Sequence, residues 1–185
     1  EGDLLCGNGK LREAERAYRQ ALELYLKLAA DYPTVAEYRR DAAVIQAWLG
    51  YFLYQRGELD EAVIWLKKSI ESDPTFATSC YYLGIVLATE RKLDEAIVCF
   101  KKVIELDPNY AWAHNNLGCA LFESARFDEA GACFRKALAD FANAVELAPA
   151  NGAAANNLAW FLATCPDVKL RDATRAVALA KQAVE

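Results

Sequence analysis

The feature that most restricts what this chain can fold into is a repeat of 34 residues. Gly50, Gly84 and Gly118 recur at that interval, inside Trp48-Leu49-Gly50, Tyr82-Leu83-Gly84 and Asn116-Leu117-Gly118. An alanine follows each glycine by 12 positions (Ala62, Ala96 and Ala130), within G-E-L-D-E-A, R-K-L-D-E-A and A-R-F-D-E-A. Four positions further on stands a large apolar residue, Leu66, Phe100 or Phe134, and Pro74 and Pro108 close the first two units. A fixed period of this size means one supersecondary unit copied in tandem, each copy burying its apolar face on its neighbours. Apolar residues at i+3 and i+4 make the unit a pair of helices. A glycine facing an alanine lets the two axes approach closely, and the large neighbours fill the seam on either side.

Taken together, the glycine, alanine, large apolar residue and proline resemble the tetratricopeptide (TPR) pattern. The resemblance covers nearly the whole chain and implies an all-α, right-handed α-solenoid of antiparallel helix hairpins. The expected units are approximately 1–33 (partial), 34–74, 75–108, 109–149 and 150–185. The consensus Trp position holds Gln46, Cys80, His114 and Ala155, and the consensus Tyr position holds Leu53, Leu87, Leu121 and Leu162. The prolines are expected to start the next helix, where a missing N–H is harmless, with Asp73 and Asp107 before them as N-caps. In the same register Glu1-Gly2 aligns with Leu49-Gly50, and Gly9 and Ala14 with Gly57 and Ala62, which puts a hairpin turn at Gly7–Gly9. At the far end Asn157-Leu158-Ala159 replaces N-L-G, and Ala176 takes the role of Ala130 after a longer loop around Cys165-Pro166-Asp167. Both ends read as cuts through an array that continues, and the chain contains no Met.

Insertions of seven residues interrupt the rhythm. They lengthen the helices on either side of Pro33 and the helix before Pro149 by about two turns, nearly preserving each helical face. Residues near 10–31 and 35–56 are expected to form one long hairpin. The lengthened helix near 127–147 has no equally long partner after it, so Phe141 and Val145 are expected to be partly exposed and to mediate self-association. D-Y-P-T-V-A-E-Y-R-R-D resembles the linker between TPR units appended to bacterial serine/threonine kinases. N-N-L-A-W-F-L-A-T-C-P-D resembles the terminal unit of bacterial arrays. These resemblances imply a regulatory or scaffolding region of a larger bacterial protein, and cysteines that read as small apolar fillers in a reducing cytosol make a cytoplasmic location the expectation.

If the first helices of successive units line a concave groove, helical spacing puts Tyr51 and Tyr54, Tyr81 and Ile85, Trp112, Asn115 and Phe122, and Asn156 and Trp160 on it. Aromatic anchors suit a peptide-binding surface, although the same residues can instead pack helix on helix. Tyr81 and Trp112 stand out as anchors outside the seam. Asn116 and Asn157 match the asparagine ladder of the O-linked N-acetylglucosamine transferase superhelix, which implies a hold on peptide backbone; helix capping is the other reading. Trp48 and Tyr82 stand at the same position in the other units and shorten any ladder. The groove positions lack the Lys and Arg with which another TPR class grips C-terminal carboxylates.

Charge and composition exclude other classes. A formal charge of −5 is opposite to what phosphate-neutralising proteins need, so no nucleic acid is expected. No run approaches the length of a membrane span. The six cysteines form no C-x-x-C pair, and His114, the lone histidine, falls in the seam, so no metal site and no cofactor are expected. Lys67-Lys68 and Lys101-Lys102 fall on second helices as solvated faces. Asp60-Glu61, Asp94-Glu95 and Asp128-Glu129 recur in first turns, where the helix dipole favours acid. The sequence therefore predicts a protein or peptide binding scaffold with no enzymatic activity. The alternative is a structural spacer or self-assembly segment of a longer array.

Overall fold

The structure, a computed structural model, describes the backbone of residues 2–184 and the side chains of residues 16–184. Among the described residues every long element is an α-helix: α1 Gly2–Asp31, α2 Ala36–Gln55, α3 Leu59–Ser72, α4 Ala77–Thr89, α5 Leu93–Leu106, α6 Ala111–Glu123, α7 Phe127–Leu147, α8 Gly152–Thr164 and α9 Ala173–Gln182. A 3-10 turn, Val168–Leu170, stands before α9. This is the all-α helical-repeat fold that the period implies. The chain divides into two compact units, Glu1–Lys92 and Leu93–Glu185.

In the first unit α1 packs on α2, α2 on α3, and α3 on α4. Leu22, Ala42, Ile45 and Leu49 form one cluster of its core, with Tyr18, Ala21, Tyr25 and Trp65 against them. The seam between α2 and α3 is tight at Gly50. A Cβ there would meet Leu66 Cγ at 2.5 Å, Leu66 Cδ2 at 2.9 Å and the Ala62 carbonyl oxygen at 3.2 Å. Three buried polar side chains lie in the same unit. Ser69 Oγ donates to the Ala43 carbonyl and lies 2.6 Å from Ser79 Oγ, and Ser72 donates to Gln46 Oε1 at 2.8 Å. Pairing matters here, because a buried hydroxyl or amide without a partner costs about 1–3 kcal/mol.

In the second unit α6 packs on α7 and α8 on α9. Gly118 plays the part of Gly50: a Cβ there would meet Phe134 Cε1 at 2.6 Å and Cδ1 at 2.7 Å. The lengthened helix matches the expected span, since α7 runs Phe127–Leu147 against a 13-residue α8. The expected partial exposure of its apolar stripe is corrected at Phe141 and holds at Val145. Phe141 is only 3% exposed, with Trp112 edge-on at 4.9 Å and Phe161 at 5.7 Å. Val145 is half-buried. The start of the added turns is thus covered at Phe141 by aromatic rings from α6 and α8, which leaves Phe141 no free face for self-association, while Leu147 at the end of the helix stays 78% exposed.

Three local expectations also change. The turn expected at Gly7–Gly9 is absent, because α1 continues through it; the side chains of Cys6 and Ala14 lie outside the described residues. The prolines stand in the turns, three residues ahead of the helices beginning at Ala36, Ala77, Ala111 and Gly152. Asp73 and Asp107 close tight turns by accepting from Thr75 N (2.9 Å) and Asn109 N (3.1 Å) instead of capping. Each precedes a proline, which bars αR at that residue and ends the helix there. The side-chain caps are Asn151 on α8 and Asp172 on α9.

The turn between paired helices repeats too. Gly57, Arg91 and Ala125 have φ of 80°, 65° and 59°. After each, the next amide donates back to the helix, Glu58 to Leu53, Lys92 to Leu87 and Arg126 to Leu121, at 2.9 Å in each case. These are left-handed C-terminal caps of the Schellman type, in which glycine is the unstrained residue.

Candidate functional site

The first unit presents one aromatic face. On α2, Trp48 is 38% exposed and sets its ring edge-on to Tyr51 at 5.8 Å. Tyr51 in turn lies 4.9 Å from Tyr82 of α4, and Tyr82 lies 5.5 Å from Tyr81. The positions follow from helical geometry, since residues 48 and 51 share a face of α2, and 81, 82 and 85 lie along α4. Burial, then the neighbouring Tyr51, push the Tyr82 hydroxyl above its ordinary pKa, so it stays a neutral donor. Tyr51, Tyr54, Tyr81 and Ile85, all expected on the groove, are half-buried. Trp48 and Tyr82, expected only as gaps in an asparagine ladder, are part of the shelf. Their signal was the same spacing that selected Tyr51.

The second unit presents another. Trp160 of α8 is 48% exposed, and its ring lies 5.3 Å from Trp112 of α6. Beside it an open recess of 300 Å³ is lined by Asn156, Ala159, Ala163 and, from α9, Ala176, Val177 and Ala180. Asn156 is exposed and Asn157 half-buried. Asn115 departs from expectation. It is 2% exposed, and its Nδ2 donates to Asn116 Oδ1 at 3.2 Å, so it orients Asn116 and has no open surface for a peptide. Trp112, read from sequence as an anchor outside the seam, is half-buried against Phe141 and serves as the support on which Trp160 rests. Phe122 is exposed, but it meets Phe127 at 5.1 Å on the wall of a separate 370 Å³ recess beside Pro166 and Val168.

The remaining reactive side chains are built into the scaffold. His114 is buried, as its seam position implies, and Nε2 donates to the Pro108 carbonyl at 2.9 Å. Asp140 Oδ2 lies 3.9 Å from the same nitrogen, while Lys136 bridges Asp140 Oδ1 and Asn109 Oδ1. Lys67, Lys68, Lys101 and Lys102 are exposed. Among the described residues no three His, Cys, Asp or Glu side chains cluster as metal ligands, and no helix is long and apolar enough to cross a membrane. Burial, helped by Cys165 and Glu123, pushes the Cys119 thiol up to about 11, and burial also raises Cys133 and Cys165. Near neutral pH Cys119 should therefore hold about a hundredfold less thiolate than an ordinary cysteine. Iodoacetamide footprinting should label it slowly until the chain unfolds. Because a raised thiol pKa favours folding only while the thiol is protonated, its contribution should fade as pH climbs from about 9 toward 11.

Three tetratricopeptide-repeat family models match the chain, over residues 1–75, 92–125 and 113–139. No curated protein matches it significantly. Among solved structures, a crystal structure of MamA superposes with a TM-score of 0.54 at 23% identity, covering 99% of this chain and 92% of that one. A further MamA structure gives 0.52 at 20% identity, over 93% and 91%. The second TPR of Spaghetti (RPAP3), solved bound to the HSP90 peptide SRMEEVD, gives 0.51 at 22% identity, over 52% and 89%. At these identities the neighbours speak for the fold, and the family models for the repeats: the chain carries tetratricopeptide repeats in an all-helical repeat fold.

Proposed function

We propose that this chain binds an extended peptide, or a helix of a partner protein, on the aromatic faces of its first helices. Trp160 carries the reading: a large indole, half exposed, fixed at 5.3 Å on a second indole and flanked by the exposed amide of Asn156. Rigid aromatic surface of this kind contributes contact area at little conformational cost, while an amide both donates to and accepts from any peptide backbone. The RPAP3 neighbour holding a peptide is consistent with such a role for the fold. The resemblance to bacterial arrays supports a scaffold within a larger protein, divided into the five units the period suggests.

The test is selection of random dodecapeptides by display on the whole chain, followed by tryptophan-fluorescence titration of the peptides recovered. Trp160→Ala and, separately, Tyr81→Ala should weaken binding by about 2 kcal/mol each, with helical circular dichroism and thermal midpoint nearly unchanged. Peptides that bind both variants as tightly as the parent would remove these faces from consideration.

A further inference from the structure

Resting on that reading, the geometry points to a basic ligand for the first unit: we infer that the segment docking on the Trp48–Tyr51–Tyr82 shelf carries Lys or Arg about three residues from the residue lying on Trp48. The two-turn extension of α2 continues the stripe of Trp48 and Tyr51 toward the N-terminus. Residues 37, 41, 44, 48 and 51 recur at spacings of three and four and so share one side of the helix. Beyond the shelf, that stripe presents Glu37 and Asp41.

Both carboxylates are available. Glu37 is exposed and Asp41 half-buried, and neither has a hydrogen-bond or ion-pair partner among the described residues. The nearby cations do not cancel them. Arg40 directs Nε toward Asp73 Oδ2 at 3.9 Å, and Arg39 and Arg40 line a recess with Ser72, Pro74 and Thr75 at the turn after α3. The shelf contains no Lys or Arg, and the electron-rich faces of Trp and Tyr attract cations. Aromatic faces and unpaired carboxylates thus select the same sign of charge. The charge is opposite in sense to what would receive the acidic peptide seen on the RPAP3 neighbour.

The spacing follows from two rises. Asp41 and Trp48 are seven residues apart on one helix, about 10 Å at 1.5 Å per residue. An extended peptide advances about 3.3–3.6 Å per residue, so a side chain on Trp48 and one on Asp41 are about three positions apart.

The experiment uses the display-selected dodecapeptides, sorted by whether Trp48→Ala abolishes their binding to the otherwise intact chain. Those that depend on Trp48 should be enriched in Lys and Arg at the stated spacing. A synthetic copy with Gln at the basic positions should bind more weakly. The Glu37→Gln/Asp41→Asn pair should weaken the basic peptides about fivefold, the scale of two surface charge contacts, and raised salt should do the same to the parent. Trp48-dependent peptides that are neutral or acidic, or that ignore both the pair and salt, would overturn the basic-ligand inference and leave the binding face standing. If no recovered peptide depends on Trp48, the shelf is not a binding surface and the inference falls with it.

Discussion

Phe141→Ala should destabilise the second unit by about 3–5 kcal/mol, the usual range for emptying a buried phenylalanine site. The ring is 3% exposed and sits between Trp112 and Phe161. Ala137, one turn earlier on the same face of α7, is fully buried, so the surroundings have little room to collapse into the gap. Urea unfolding followed by tryptophan fluorescence is the natural readout, since Trp112 lies against the deleted ring. A loss under about 1 kcal/mol would mean that the end of α7 is not packed as described. Sedimentation of the same variant beside the parent would then show whether the exposed stripe expected from sequence mediates association.

Gly118→Leu should cost about 1–3 kcal/mol or more, because even the first carbon of the new side chain falls within 2.6 Å of the Phe134 ring. Phe134 is itself fully buried and cannot swing into solvent. The ring must shift or α6 and α7 must separate, and either disturbs the seam along its length. Gly118→Ala should show the same sign with a smaller amplitude. Thermal unfolding by far-ultraviolet circular dichroism measures both, and an unchanged midpoint for the leucine variant would refute the close-approach account of the glycine.

The helical plan was legible because it repeats. Glycine, alanine and proline at fixed intervals report backbone approach and chain breaks, and these depend on local chemistry that survives changes elsewhere. The span of α7 was legible for the same reason, as an insertion of whole turns. What covers an insertion was not legible. Nothing in residues 127–147 states that Trp112, some thirty residues earlier, turns its edge toward Phe141. Site residues were legible as faces and less so as exposures. Spacing put Asn115 and Trp160 on equivalent stripes, yet one is buried and the other half open. Trp48 and Tyr82 were passed over because they were compared with an asparagine ladder; their contacts with Tyr51 are a matter of packing that the repeat register does not encode. The turn caps show the converse limit: Gly57 announces its left-handed backbone, whereas Arg91 and Ala125 adopt it without the residue that signals it.

Within each unit the helices touch mainly their neighbours in the chain, α1 with α2 and α2 with α3, then α6 with α7 and α8 with α9. That ordering has a kinetic consequence. A contact between consecutive helices closes only a short loop, so the entropy lost before the first apolar surface is buried is small. Chains dominated by such pairings collapse quickly and have no obligatory starting point; any hairpin can act as the seed from which its neighbours grow. Refolding from urea should accordingly be fast and should tolerate a damaged seam in one unit while the other still assembles at its own rate.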